Sequence, residues 1–178
     1  MKFRSLAYLL PAAVFVVAAV SNLNAQPGGP RPSPKMTATG KIGAANVTIT
    51  YGSPSVRGRK IWGGLVPYDK VWRTGANEAT LFETDKDLMV EGKKLPAGKY
   101  SLYTIPGEKE WQVIINSQTG QWGIERSGET TRKPEKDVLV VTVNPKKSAT
   151  LQESLIYKID NHGFVIKWEN LEVPVSVK

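Results

Sequence analysis

From Met36 onward, clusters of turn-forming residues recur about every ten residues, the spacing of an all-β sandwich or barrel. Gly43-Ala44-Ala45-Asn46, Asp85-Lys86-Asp87, Gly92-Lys93-Lys94, Pro106 to Glu110 and Asn161-His162-Gly163 are the clearest of them. The runs between them alternate apolar and polar residues with a period of two, as half-buried strands do. None is a convincing amphipathic helix; residues 67–73, PYDKVWR, offer at most one helical turn. No repeat of fixed period is present. The expected fold is therefore a single antiparallel β-sandwich, jelly-roll-like or immunoglobulin-like, with eight to ten strands.

The strands can be placed from these runs. Met36–Ile42 and Val47–Tyr51 read as a hairpin, followed after a long connection by Ala79–Thr84 and the short Leu88–Glu91. Lys99–Ile105 and Trp111–Asn116 flank a Pro-Gly turn and form the clearest hairpin. Residues 117–135 read as a polar surface loop anchored by Trp122. Asp137–Val143, DVLVVTV, is so apolar that both faces are expected to be covered. Leu155–Asp160 and Phe164–Trp168 form a second hairpin with Gly163 at a positive-φ position. In the last strand, Leu171–Val177, Pro174 cannot donate to a ladder, which places that strand at an edge.

The first 25 residues have the layout of a secretory signal. Lys2 and Arg4 precede the apolar run 5–20, and Leu23-Asn24-Ala25 ends in a small residue before the expected cut. The apolar run is shorter than the ~20 residues of a spanning helix, so no transmembrane span is expected after cleavage. Residues 26–35, QPGGPRPSPK, read as an extended, unpacked linker, and residues 36–178 as the domain. With no cysteine in the chain, disulfides, thiolate metal sites and lipid attachment are all removed. The protein is expected in the periplasm or secreted. Losing Lys2 and Arg4 lowers the formal charge from +8 to +6, which favours anionic partners without selecting among them. An exported protein rarely meets nucleic acid, so that partner is not expected.

Chemistry-bearing side chains concentrate in residues 51–80. A long connection that carries tryptophans is more in keeping with function than with disorder. Arg57, Arg59 and Lys60 surround Gly58 and form a candidate anion grip, since guanidinium forks bind carboxylate, phosphate or sulfate bidentately; an exposed loop tip is the plainer reading. Arg73, Asn77 and Glu78 form a second polar group. Either Arg73 holds an anion while Glu78 accepts and Asn77 orients, or Arg73 and Glu78 pair to lock an irregular loop. Trp111 and Trp168 lie in strands and read as core, whereas Trp62 and Trp122 lie beside glycines and are better placed to stack on a ligand. His162, the one histidine, reads as a turn residue, and no nucleophile elbow accompanies it. One histidine without cysteine leaves no zinc or transition-metal set, and no cofactor is expected. Oxygen-only coordination by Asp85, Asp87 or Asp160 stays open, without EF-hand spacing.

Three blocks, YGSPSVRGRKIWG, VPYDKVWRTGANEAT and LPAGKYSLYTIPGEKEW, resemble a bacterial family of exported proteins, domain-of-unknown-function family 2911. The resemblance continues through Gln121-Trp122-Gly123 and Lys136-Asp137-Val138 and covers about residues 36–178. It implies an exported all-β domain, names no reaction and transfers no catalytic residue.

Three functions fit these residues. The first is a non-enzymatic envelope binding module. Arg57, Arg59, Lys60, Arg73, Asn77 and Glu78 would hold an acidic or carbohydrate-like ligand, with Trp62 or Trp72 stacking on it. The second is a glycan hydrolase using Glu78 with Asp69, which requires both carboxyl groups within ~5–10 Å in one cleft and a raised pKa on one of them. The third is a structural partner in an envelope assembly, which requires an exposed apolar patch or an open strand edge.

Overall fold

The structure, a computed structural model, describes residues 31–178. The expected signal segment and linker residues 26–30 lie outside the described residues. Ten strands follow in order: β1 (Lys35–Ile42), β2 (Ala45–Gly52), β3 (Ala76–Thr84), β4 (Leu88–Val90), β5 (Lys93–Leu95), β6 (Gly98–Pro106), β7 (Trp111–Asn116), β8 (Asp137–Val143), β9 (Lys146–Asp160) and β10 (Gly163–Ser176). The one helical element among the described residues is a 3-10 turn, Pro134–Lys136. No helix among them is long and apolar enough to cross a membrane.

The larger layer is a six-stranded antiparallel sheet in the order β1-β2-β3-β6-β7-β8. It is a meander, a simpler path than the Greek-key order of jelly-roll and immunoglobulin-like sandwiches. The second layer is the β9–β10 hairpin extended by the small β4–β5 hairpin, through a bridge between Val90 and Val177. A left-handed Glu169 (φ 54°) turns β10 back on itself, so that Val177 N–H donates to the His162 carbonyl at its start. Pro174 falls between Glu172, the last β10 residue paired with β9, and the hydrogen bonds to residues 89–91 that begin at Ser176. Its missing N–H therefore leaves no gap in a ladder. The layers approach at both sides: β1 runs beside β9, and Lys93 Nζ in β5 donates to the Val140 carbonyl of β8 at 2.8 Å.

Turn chemistry sets most of these registers. Asp160 pairs with Gly163 around Asn161-His162, and Pro106 with Trp111 around the Pro-Gly turn, as expected. The β4–β5 turn differs from expectation: it is Glu91-Gly92, at φ 45° and 79°, and Lys93-Lys94 belong to β5. A two-residue turn with both φ values positive matches the twist of a hairpin, and Gly92 supplies one of them without strain.

Two further expectations are corrected. Strand β8 is the edge of its sheet, and its burial alternates: Leu139, Val141 and Val143 face inward while Val138 is exposed. The strands covered on both faces are β6, buried continuously from Tyr100 to Thr104, and β7, where Val113 and Ile115 enter the core and Ile114 is buried on the reverse side with its register partner Tyr103. The cover on that reverse side comes from residues 117–135, through Gln121 Nε2 to Tyr103 Oη at 2.9 Å. Trp122 does not anchor this segment, since it is about half exposed. Residues 31–34 are not an unpacked linker either. The β1 ladder starts at Lys35, and the Pro34 carbonyl extends it by accepting from Ser53 N–H at 2.8 Å.

The centre of the molecule is a cluster of four indoles. Trp62 meets Trp72, Trp111 and Trp168 edge-on at centroid distances of 5.9, 5.0 and 5.7 Å, while Trp72 and Trp168 stack at 5.8 Å. Such edge-to-face contacts suit the ring quadrupoles and add to the burial of large apolar area.

Candidate functional site

Residues 53–75 contain no regular strand, yet they are pinned throughout. Val56 N–H donates to the Glu153 carbonyl, Asp69 N–H to that of Pro106, and Trp72 exchanges both backbone hydrogen bonds with Thr104. Residues 67–73 form turns and no helical element. Four of the six non-glycine residues at positive φ lie between Arg57 and Asn77: Arg57, Asp69, Thr74 and Asn77. Thr74, β-branched and at φ 54°, is the least expected of these. It is fully buried. Its carbonyl accepts from Tyr157 Oη at 2.7 Å and Thr80 Oγ1 at 3.0 Å, and its hydroxyl lies 3.1 Å from that of Thr104. Surrounding contacts of this kind hold a strained backbone, and strain gathers where side-chain placement matters.

The structure separates the candidate residues into four places. Trp72, Arg73 and Arg59 line one cavity of about 220 Å3, together with Trp168, Ser33 and the backbone near Gly75. Lys60 and Trp62 border a second, beside Glu108, Lys147 and Glu169. Glu78 borders a third, with Lys35 and Gln121. Asp69 borders a fourth, at the β6–β7 turn with Glu108 and Glu110. The carboxylates of Asp69 and Glu78 are thus not brought to one cleft. Glu78 is also not a carboxyl with a raised pKa: a hydrogen bond from Arg31 holds it below its ordinary value, against the opposing push of burial. Trp62 and Trp72 are core residues of the indole cluster and present no open ring face for stacking.

Arg73 and Glu78 do not pair. Glu78 Oε1 accepts from Arg31 Nη1 at 2.8 Å. Arg73 instead packs beneath Gly123, where an added Cβ would lie 2.1 Å from Arg73 Cδ. Gly123 N–H donates to the Asn77 carbonyl at 2.9 Å, and Glu78 forms a bridge with Trp122, so residues 121–123 run along the start of β3 and close over Arg73. Its Nε is buried and has no hydrogen-bond acceptor, and among the described residues no carboxylate pairs with it. Burial pulls the guanidinium below its usual pKa, because desolvation penalises the charged form. Trp168 Nε1, on the same cavity, is likewise buried without an acceptor. Arg59 contributes a guanidinium already held by the carbonyls of Ser55 (2.6 Å) and Val56 (3.1 Å).

The remaining candidates serve turns and contacts. Arg57 Nη2 donates to the Pro32 carbonyl and Asn77 Nδ2 to that of Ser33, each at 2.9 Å. Asp85, Asp87 and Asp160 each accept a backbone N–H, from Asn46, Ala97 and His162. Among the described residues no group of three or more His, Asp or Glu is placed to hold a metal. Sequence reasoning missed Arg31, Ser33 and Trp168 as neighbours of the site. Arg31 and Ser33 lie in a stretch whose proline content signals only extension, and Trp168 sits in a strand like any core residue.

Fold and site together define a two-layer β domain whose longest connection is a rigid, arginine-bearing wall. A family model described as "Protein of unknown function (DUF2911)" matches residues 33–177, and the chain belongs to that family. No curated protein matches the chain, and no solved structure does.

Proposed function

We propose that this is an exported binding module of the cell envelope, and that it takes a small acid or the acidic end of a glycan in the cavity between Arg59, Arg73, Trp72 and Trp168. The observation that carries this reading is the buried Arg73 Nε without an acceptor. The residue as a whole is partly exposed, so its cation is partly desolvated, and an anion in the cavity would complete its hydrogen bonding. Burial also strengthens any charge-assisted hydrogen bond made there. The cavity is smaller than the 300–1,000 Å3 range of drug-sized sites, which favours a compact anionic group over a whole oligosaccharide.

An array of small carboxylates, sulfates, phosphates and acidic and neutral glycans, probed with the purified protein, tests this. At least one acidic ligand should bind, and Arg73→Lys should weaken it by roughly tenfold or more, since lysine keeps the charge but loses the guanidinium fork. Absence of any acidic ligand, or binding indifferent to Arg73→Lys, would remove the basis of the reading.

A further inference from the structure

Residues 31–34, Arg-Pro-Ser-Pro, lie on a track built entirely of groups that complement them. The carbonyls of Pro32, Ser33 and Pro34 are caught in succession by Arg57 Nη2 (2.9 Å), Asn77 Nδ2 (2.9 Å) and Ser53 N–H (2.8 Å). The side chain of Arg31 donates to Glu78 Oε1 at 2.8 Å, and its Cζ lies 6.0 Å from the centre of the Trp122 ring. So the track offers three donors for consecutive carbonyls and, at one end, a carboxylate beside an indole. Of the three residues whose carbonyls are caught, two are prolines, which have no N–H to leave unsatisfied. Proline also pre-sets an extended backbone, so little order is lost on docking. Two of the donor residues, Arg57 and Asn77, sit at φ 50° and 65°.

Trp122 is the one exposed tryptophan among the described residues, and the Arg31–Glu78 pair is about half exposed on both sides. An exposed ion pair and an exposed cation–π contact are weak. The segment is held mainly because it belongs to the same chain, which sets its effective concentration near the millimolar range. We propose that this track is a recognition site for an extended, proline-rich segment of a partner protein that carries an arginine before Pro-x-Pro, and that residues 31–34 fill it in cis as a displaceable stand-in. The contacts involve Glu78, Trp122 and backbone carbonyls, so the inference does not rest on the anion cavity.

The test uses the full-length protein and a fluorescently labelled, end-capped peptide of residues 30–35, Pro-Arg-Pro-Ser-Pro-Lys. Arg31→Ala removes the competing side chain. The peptide should bind Arg31→Ala about three- to tenfold more tightly than the unaltered protein, because the resident segment keeps its backbone contacts but loses the ion pair and the cation–π contact that the peptide can still make. Arg31→Ala with Glu78→Gln should lose that gain, and a peptide with glutamine in place of its arginine should bind Arg31→Ala more weakly than the arginine peptide by a similar factor. Both substitutions are at half-exposed positions, and near-ultraviolet circular dichroism of the indole cluster checks that the fold is unchanged. Equal affinity for the unaltered protein and Arg31→Ala, no binding to Arg31→Ala at about a millimolar peptide, or binding that survives Glu78→Gln would overturn the proposal. So would a dimer in sedimentation that Arg31→Ala dissolves, because the track would then belong to a second copy of this chain.

Discussion

At the scale of single residues, Arg73 and Gly123 depend on each other. The guanidinium stem occupies the space a side chain at position 123 would need, and the Asn77 carbonyl lies 2.9 Å from where that Cβ would be. Gly123→Ala therefore has to move both Arg73 and the start of β3. Overpacking of this kind costs about 1–3 kcal/mol, and chemical denaturation should show it as a lower midpoint with an unchanged slope. The same variant should impair an acidic ligand found on the array, because Arg73 is the group displaced. None of this was visible in the amino-acid order. Gly123 follows Trp122 in a polar stretch and carries no mark of the close approach it permits. Arg73 and Glu78 are only five residues apart, so pairing between them looked natural. The structure gives Glu78 a more distant partner, Arg31, because residues 31–34 return across the start of β3.

At the scale of elements, what could be read from the residues was the set of hairpins. The Pro-Gly and His-Gly turns bring Pro106 opposite Trp111 and Asp160 opposite Gly163 because local backbone preference decides them. Position within a sheet is a long-range property, and composition misjudged it. DVLVVTV is more apolar than WQVIIN, yet β8 forms the edge and β7 is covered twice, because the cover over β7 comes from residues 117–135 rather than from β7 itself. The same limit applies to Trp62 and Trp72. A tryptophan in an irregular connection looks alike whether the connection folds inward or outward, and here it folds inward. The difference between β7 and β8 is measurable. Trp111→Ala, which empties a fully buried indole site, should destabilise by about 3–5 kcal/mol. Val138→Ala, on the exposed face of β8, should stay within about 0.5 kcal/mol. Comparable losses for both in urea unfolding would mean that β8 is covered on both faces after all.

At the scale of the whole molecule, two tyrosines join the layers to each other and to the connection. Tyr51 of β2 and Tyr157 of β9 meet with ring centroids 4.6 Å apart. Tyr51 Oη accepts from Tyr157 N–H at 3.3 Å, and Tyr157 Oη donates to the Thr74 carbonyl at 2.7 Å. Burial raises the pKa of both hydroxyls above the ordinary 10.0, that of Tyr157 by far the more. For an acid whose folded pKa is raised, the unfolded chain releases the proton first. The stability tied to these groups is therefore complete below pH 10, and it is lost as pH climbs from there toward the folded values. Alkaline unfolding should follow, with the two layers and the connection separating together. Tyrosinate absorbance and near-ultraviolet circular dichroism record the two events. Part of the tyrosinate signal should appear in a steep step that coincides with loss of the indole signal. Tyr157→Phe should weaken the protein near neutral pH by roughly 1 kcal/mol, the worth of a lost hydrogen bond whose acceptor keeps another partner, here Thr80 Oγ1. It should also move the alkaline step, measured relative to its own neutral stability, to higher pH. A smooth titration of every tyrosine, with the indole signal intact throughout, would show that Tyr51 and Tyr157 are reached by solvent and that the layers are not joined through them.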